Sequence, residues 1–546
     1  MHGIYAALSY SWGDDSSSML KLRELNLAAL QGEIKFGELR RSHQHGIQVA
    51  RELGYDYIWI DALCIIQGDS HDWAKQASLI LEIYGNADLT IVAGRSDDSK
   101  KGFLESMSAT SSALLAQLPY SSWDGMKTCC FIGRLRNRII GPVSDRAWCF
   151  QEALISRRMI IYGEQQLSFR CRERHDFEDG HWESVGPRDA WYNYSFLARH
   201  LASPGFHPKV FQADNRNSTD RLNFKVQSIL NSLPASTGID FTGIGQILKA
   251  WYGITTEYSS RSFFDPTDNH AALSGMVRLM QQALTRCGLD SDRVRYMAGL
   301  WEIDMVDGLL WSSHRITDWQ LTALQAPVYE GRVVRRAPSW SWMALVGPIC
   351  QRSSVGQRLC RPANPDRKTW SPEPDGWGPS MIEYKKFPDP FRLEVKAYIR
   401  EVRISQQRKS EPSFNIFDLD AARAGSERSI AKHTVPLEVA DSGGTKNEST
   451  AFATALFDME YAGNRPVQMW AMSVTSEEGL LLKQSQDPKF GSVVYERLGI
   501  YAVDAPSRPD AMPTFYPKES LGMESFSLNG YFVIKDKLPM ETVVLI

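Results

Sequence analysis

The sequence predicts an α/β fold for its N-terminal part, a parallel sheet with crossover helices, and three observations carry that reading. Apolar runs of strand length recur at residues 4–10, 55–60, 89–93 and 159–162. Stretches with helical spacing of apolar residues lie between the first three runs. Turn signals stop the runs: Ser-Trp-Gly-Asp-Asp after Tyr10, Gly94 after Ala93, and Gly163 after Tyr162. A mostly helical region and then a β-rich C-terminal part follow.

Each element has its own justification. Ile4–Tyr10 is apolar and aromatic and reads as the first strand. Met19–Leu30 places Leu20, Leu22, Leu25, Leu27 and Leu30 at loosely helical spacing. A second helical stretch runs from Phe36 to Leu53 and stops at Gly54, a residue suited to the position after a helix. The near-continuous apolar run Tyr55–Ile60 suits a central parallel strand covered on both faces. Ser70–Tyr84 is the clearest helix: Trp73, Ala77, Ile80, Leu81 and Tyr84 share a face, and Asp69 or Ser70 can cap it. Leu89–Ala93 and Met159–Tyr162 read as buried strands. The organisation expected is then a domain over 1–175, a mostly helical region over 176–345, a Pro/Gly-rich loop or linker over 346–390 and a β-rich region over 391–546. Helices are expected at Phe224–Leu233, Gly243–Trp251 and Ala271–Leu284. The β-like runs are Phe391–Arg403, Gln468–Val474, Ser492–Val503, Tyr531–Lys535 and Val543–Ile546.

Composition excludes several classes. The 546 residues leave room for about three domains. Charged residues at 23% and hydrophobic ones at 43% exclude a disordered or fibrous chain. Lys plus Arg is 61 and Asp plus Glu is 64, a formal charge of −3, so nothing draws the whole molecule to nucleic acid or an anionic membrane. The eight cysteines form no CxxC, which argues against zinc ribbons and thioredoxin-type motifs and favours reduced thiols. Residues 1–10 lack the basic region and apolar core of a signal peptide, and no apolar run approaches the roughly 20 residues of a membrane span. A cytoplasmic protein with no membrane span is the expectation. The chain begins at the edge of its first strand, which fits a truncated gene model.

In an open parallel sheet, ligands bind beyond the carboxyl ends of the strands. Strand one leads into Ser9, Tyr10, Trp12, Gly13 and Asp14, strand two into Asp61, Cys64 and Gln67, and strand three into Gly94 and Arg95. One reading is a pocket with a carboxylate at Asp61, hydroxyls and a Trp12 wall; the other is ordinary turn residues, with Asp61 capping a loop. The stretch Arg146–Arg158 interleaves Arg146, Gln151 and Glu152 with Trp148, Phe150 and Leu154. Trp148 and Glu152 are i, i+4 neighbours, so Glu152 and Arg157 either reach a site or Glu152 makes a structural ion pair on a helix packed against the sheet. His175, Asp176, Glu178, Asp179 and His181 fit no metal-binding spacing and read as a solvated acidic loop. The basic run Gly331–Arg336 is too short to carry nucleic-acid binding. No GxSxG, P-loop or helix-opening GxGxxG is present, so serine hydrolase, kinase and Rossmann dehydrogenase readings have no support.

Three ordered blocks resemble the fungal heterokaryon incompatibility (HET) domain. The first is Tyr5-Ala-Ala-Leu-Ser-Tyr-Ser-Trp-Gly13. The second runs from Leu53-Gly-Tyr-Asp-Tyr-Ile-Trp-Ile-Asp-Ala-Leu-Cys-Ile-Ile-Gln67 through Asp72-Trp73 to Ile83-Tyr84-Gly-Asn-Ala87 and Thr90-Ile91. The third is Arg146 to Arg158. Downstream, Tyr258-Ser-Ser-Arg261, Ala298-Gly-Leu-Trp301, Leu309-Leu-Trp311 and Ala337-Pro-Ser-Trp-Ser-Trp342 resemble segments of longer proteins of this type. Half of the sixteen Trp (Trp12, Trp59, Trp73, Trp148, Trp301, Trp311, Trp340 and Trp342) fall in these segments, so the likeness extends beyond the three blocks.

The resemblance implies a TIR-like sheet and a role in fungal non-self recognition, innate immunity and programmed cell death. The chain would act as a death effector or interaction module with protein partners in incompatibility signalling, self-association included. HET domains are distant relatives of TIR domains, some of which cleave NAD using a helix-borne Glu. The resemblance therefore implies NAD as a substrate and no other cofactor, with Gln76 where the relatives carry Glu; Asp61 and Glu152, from the strand-end and helix readings above, are the other candidate catalytic residues. Ser9, Tyr10, Trp12, Gly13, Cys64, Gln67, Arg146, Trp148 and Gln151 would bind the ligand, and no metal is expected. Two positions depart from the family. Many relatives carry D-W-x-x-E where this chain has Asp72-Trp73-Ala74-Lys75-Gln76, so a neutral amide stands in place of the Glu. A lost carboxylate in a low-dielectric pocket costs orders of magnitude in rate unless Asp61, Glu82 or Glu152 replaces it; on a solvated helix face the exchange costs little. Relatives also tend to have Asp-Ala where His45-Gly46 stands, and Gly there weakens the helix by about 1 kcal/mol. Together these departures raise the alternative of a degenerate, non-functional family copy.

Overall fold

A computed structural model describes residues 3–105, 116–121, 125–132, 140–184, most of 240–351, the strands between 361 and 503, and 541–546. It is mixed α/β: a parallel-rich N-terminal sheet with helices, a helical stretch and a β-rich C-terminal sheet. The N-terminal elements are β1 (Tyr5–Ser9), α1 (Arg41–Glu52), β2 (Tyr57–Trp59), α2 (Ser70–Asn86), β3 (Leu89–Val92), α3 (Ala147–Ile155) and β4 (Arg158–Tyr162). They are followed by β5 (Leu167–Cys171), β6 (Arg174–Phe177) and β7 (Trp182–Ser184). The sheet order is β2-β1-β3-β4-β5-β6-β7. Its first four strands are parallel, with Ala6 opposite both Ile58 and Leu89, and Ile91 opposite Ile160. The remaining strands form an antiparallel meander.

Alternation along β1 explains how both faces of the sheet are covered. Ala6, Leu8 and Tyr10 pack with Val49 and Ala50 of α1, while Ala7 joins Ile80 and Tyr84 of α2 and Ile155 of α3. Gly46 is where α1 meets β1 most closely, since a Cβ there would come within 3.0 Å of both Leu8 methyls. The neighbouring His45 accepts the Phe103 and Leu104 amides on Nδ1 at 2.9 and 3.1 Å. The His45-Gly46 departure thus has a packing role, and the helix-propensity cost is accepted for close contact.

Several expectations are corrected. The Tyr55–Ile60 run forms the sheet's edge strand rather than a central one, with Tyr57 half-exposed. Met19–Leu30 gives only a 3₁₀ turn at Glu24–Asn26 and a short helix at Leu27–Gly32. The leucines alternate at two- and three-residue intervals, so they make no single helical face, and Leu25 is fully exposed. The acidic segment around His175 is the β6–β7 hairpin rather than a loop, and it extends the sheet past residue 176 where helix was expected. Helices resume at α4 (Phe241–Ser259) and α5 (Ser274–Arg286). Within 346–390, Ile349–Gln351, Arg361–Pro362 and Trp370–Ser371 are short strands; residues 372–390, the Phe224–Leu233 helix and the Tyr531–Lys535 strand lie outside the described residues. Among the described residues, no helix is long and apolar enough to cross a membrane.

One apolar cluster continues from the N-terminal sheet through α4 and α5 to the C-terminal strands. It joins Tyr84, Trp251, Trp301, Trp311 and Trp340 to Leu393, Met472, Leu480, Ile500 and Leu545. The strands Arg392–Ala397, Ile399–Ile404, Met469–Ser473, Glu478–Gln486, Val493–Val503 and Glu541–Leu545 belong to a ten-stranded sheet. Arg497 fixes this sheet to the middle of the chain. Its guanidinium donates to Asp458 at 2.7 and 3.1 Å and to the carbonyls of Leu309 and Trp311 at 2.5 Å, and it lies 3.5 Å over the Trp311 ring. Removing one partner of such a buried pair strands the other, so Arg497→Met is expected to cost about 3–5 kcal/mol, read as a lower denaturant midpoint. An unchanged midpoint would contradict the clamp.

Candidate functional site

The carboxyl ends of β1 and β2 and the start of α3 converge on a cavity of about 550 Å³. Asp61 opens a short helix, Asp61–Cys64, directly after β2. Its carboxylate accepts the Tyr10 hydroxyl at 2.7 Å, the Trp12 indole Nε1 at 2.8 Å and the Ala62 amide at 2.6 Å. Tyr10 also works through its backbone: its carbonyl accepts Arg146 Nη1 at 2.9 Å and faces Cys149 Sγ at 3.7 Å. Gly13 follows Trp12 at φ +84°, and a Cβ there would overlap the Asp98 carboxylate, so the turn that presents Trp12 requires glycine. Gln67 lines the cavity and donates to the carbonyls of Asp61 and Ile65.

Aromatic rings form much of the wall. Trp12, Trp59, Trp73, Trp148 and Phe263 all line it. Trp73 and Trp148 meet edge to face at 5.9 Å, as do Trp59 and Tyr84 at 5.3 Å. The Trp148 Nε1 points to Asp268 at 3.4 Å.

Glu152 faces the cavity from α3 and is only 8% exposed, with Oε2 lacking a hydrogen-bond partner. Burial raises its carboxyl to about 7. The Ser9 hydroxyl counters the rise, the Asp61 charge adds to it, and Arg146 and Tyr84 counter it. Burial also raises Asp61, against the hydrogen bonds from Tyr10, Trp12 and Ala62. Burial works against the charge on Arg146, but Cys149, Glu152, Asp61 and Tyr10 more than offset it. The Cys149 thiol is pushed up to about 12 by burial and by Glu152, which leaves it a poor nucleophile. Glu152, close to half-protonated at neutral pH, can therefore give or take a proton, while the aromatic walls can stack on a flat ligand.

Of the residues singled out from sequence, Tyr10, Trp12, Gly13, Asp61, Gln67, Arg146, Trp148 and Glu152 line this cavity. Ser9 lies behind it, on a smaller pocket shared with Cys149. Gln76 is not among the lining residues; it donates to Asp72 at 3.3 Å, to one side of the face carrying Trp73, Ala77 and Ile80. Glu82 is taken up by Arg278 of α5. Cys64 is exposed outside the cavity, and the buried Gln151 amide abuts Gly275. Phe263, Asp265 and Asp268 complete the wall from beyond α4 and were not anticipated. Their nearest signal was Tyr258-Ser-Ser-Arg261 just upstream.

Residues 5–152 match the heterokaryon incompatibility protein (HET) family. Residues 5–152 therefore form a HET domain. That domain links the chain to heterokaryon incompatibility, and the matched segment ends on Glu152. No curated protein and no solved structure matches the chain.

Because folding lifts the Glu152 carboxyl from its ordinary 4.5 to about 7, the folded protein binds that proton more tightly than the unfolded chain. The stabilisation is present at acid pH and is lost as pH rises through that window. Between pH 5 and 8 the wild type is expected to lose about 2–3 kcal/mol relative to Glu152→Gln. Melting curves across that range check this, and parallel pH profiles would contradict it.

Proposed function

We propose that this HET-domain protein acts in the cytoplasm in fungal non-self recognition, as an effector of programmed cell death. What carries the reading is the match over residues 5–152, whose blocks supply most of the cavity. Protein partners in incompatibility signalling, and self-association, belong to the same proposal, as does the TIR-like ancestry of the sheet. The degenerate-copy alternative loses its main motive, because Gln76 lies outside the cavity and removes no charge from it. Induced expression of the full chain in a fungal host is expected to reduce viability, and Asp61→Asn to restore it. Killing by wild type and variant alike would separate cell death from the cavity, and undiminished viability with the wild type would overturn the effector reading.

A second reading is favoured by Glu152: the HET domain hydrolyses the ribosyl–nicotinamide bond of NAD. The bond's electron pair leaves with nicotinamide, the ribose carbon becomes oxocarbenium-like, and water adds there and loses a proton, giving ADP-ribose. Asp61 or Glu152 would stabilise the positive charge, and Glu152 would accept the proton from water. Purified full-length protein is expected to release nicotinamide from NAD. Glu152→Gln would lower the rate by about 10²–10³-fold, and Gln76→Glu would leave it unchanged. Absence of release from the wild type would leave assembly as the mode of action.

A further inference from the structure

The chain between β1 and α1 brings basic residues to one edge of the cavity. Lys21 Nζ donates to Ser16 Oγ at 2.9 Å and lies 4.7 Å from the centroid of the Trp12 ring, and both Ser16 and Trp12 line the cavity. Among the described residues, no carboxylate pairs with Lys21. Its place is fixed by the backbone beside it. The Leu22 amide donates to the Ala62 carbonyl at 2.8 Å, and the Leu22 carbonyl accepts the Gln67 amide at 2.7 Å. Arg23 and Arg40 act on the same spot. Burial, then the charges of these two arginines, lowers the Lys21 ammonium from its ordinary value, and Asp15 and Asp61 counter them less. Arg40 is only 8% exposed; its Nη2 donates to Ser18 Oγ and to the Asp15 carbonyl. The acids nearby are compensated or screened. Asp15 pairs with Lys100 at 2.7 Å, Asp97 with Lys101 at 2.8 Å and Asp98 with Arg40 at 3.8 Å, while Asp14 is exposed to solvent.

We propose that the cavity takes a phosphorylated nucleoside, its base against the indole walls and its phosphate at the Lys21–Ser16 edge. The assignment rests on reading the cavity as a ligand site and requires no catalytic step. A phosphate at that edge would meet the Lys21 ammonium at short range, with Arg23 and Arg40 behind it, and would accept from the Ser16 hydroxyl. That leaves the Asp61 and Glu152 end of the cavity to the uncharged ribose, whose hydroxyls are donors that carboxylates accept. The base, a flat ring system, would stack on the indoles. Base, ribose and phosphate thus each meet a different surface of one cavity of about 550 Å³. NAD carries the same three parts, so Lys21 is assigned as a specificity-determining residue for that ligand class.

AMP and adenosine share base and ribose and differ only by the phosphate, so they test this on the full chain, titrated by calorimetry at low salt and neutral pH. AMP is expected to bind about tenfold more tightly than adenosine. The preference should shrink as salt is added. Lys21→Met keeps an apolar stem over Trp12 and removes the charge; it should bring the two ligands within about twofold, whereas Lys21→Arg should keep most of the preference. Both variants should keep the wild-type melting temperature, because Lys21 is partly exposed. Inorganic phosphate at the concentration of AMP should leave AMP binding unchanged; displacement of AMP by phosphate alone would mark a free-anion site and overturn the nucleotide assignment. Equal binding of AMP and adenosine by the wild type, a preference that survives Lys21→Met, or failure of both ligands at millimolar concentration would overturn the proposal. A protein that releases nicotinamide from NAD yet binds AMP and adenosine alike keeps the enzymatic reading and loses this one. A protein that cleaves nothing and still prefers AMP does the reverse.

Discussion

Tyr10 holds the three stretches of the site together from its two ends. Its hydroxyl donates to Asp61, which follows β2, and its carbonyl accepts from Arg146, which caps α3. Hydrogen bonds to charged partners of this kind contribute about 1.5–3 kcal/mol each. The side chain itself is nearly fully buried, so its phenol has no water to fall back on. That makes the strand end, the loop after β2 and the start of α3 one unit, although they are separated by roughly fifty and then eighty-five residues of chain.

The same burial that makes those bonds strong sets the site's chemistry. Asp61 and Glu152 are both withdrawn from water, and the Asp61 charge disfavours that of Glu152. The protein resolves this unequally. Asp61 accepts three hydrogen bonds. Glu152 keeps an oxygen without a partner and rises to about 7. Arg146 is retained between them because the surrounding negative groups outweigh the cost of burying it. The two carboxyl groups thus differ in surroundings: one is held by three hydrogen bonds, and the other keeps an oxygen unpaired.

Much of this was legible in the sequence because it is local. Strand-length runs placed β1, β3 and β4, and polar residues at parallel strand ends pointed to Tyr10, Trp12 and Asp61. The eight Trp in family-like segments divide in a way that spacing could not reveal. Trp12, Trp59, Trp73 and Trp148 wall the cavity, whereas Trp301, Trp311, Trp340 and Trp342 are buried in the core shared with the C-terminal sheet. Motif position alone could not say that the Gln76 amide is directed to Asp72, one helical turn back. β2 reads as central because its apolar run resembles buried strands, yet edge or centre is decided by which strands arrive later in the chain. Phe263, Asp265 and Asp268 depend on contacts across more than a hundred residues, which no local pattern encodes.

Those long-range contacts explain why the cavity is a property of more than the matched segment. The Ala147 amide donates to the Ser262 carbonyl at 3.0 Å, and the Ser262 amide returns to the Asp145 carbonyl at 2.6 Å. Arg261 adds a bond to the Ser144 carbonyl. This reciprocal pairing seats the segment after α4 against the first turn of α3, one turn from Glu152. The wall bearing Phe263, Asp265 and Asp268 is therefore positioned by backbone bonds, whose geometry is insensitive to the side chains that follow. Asp61, Arg146 and Glu152 thus lie in the HET segment, while the shape of the cavity is set in part by the region after it.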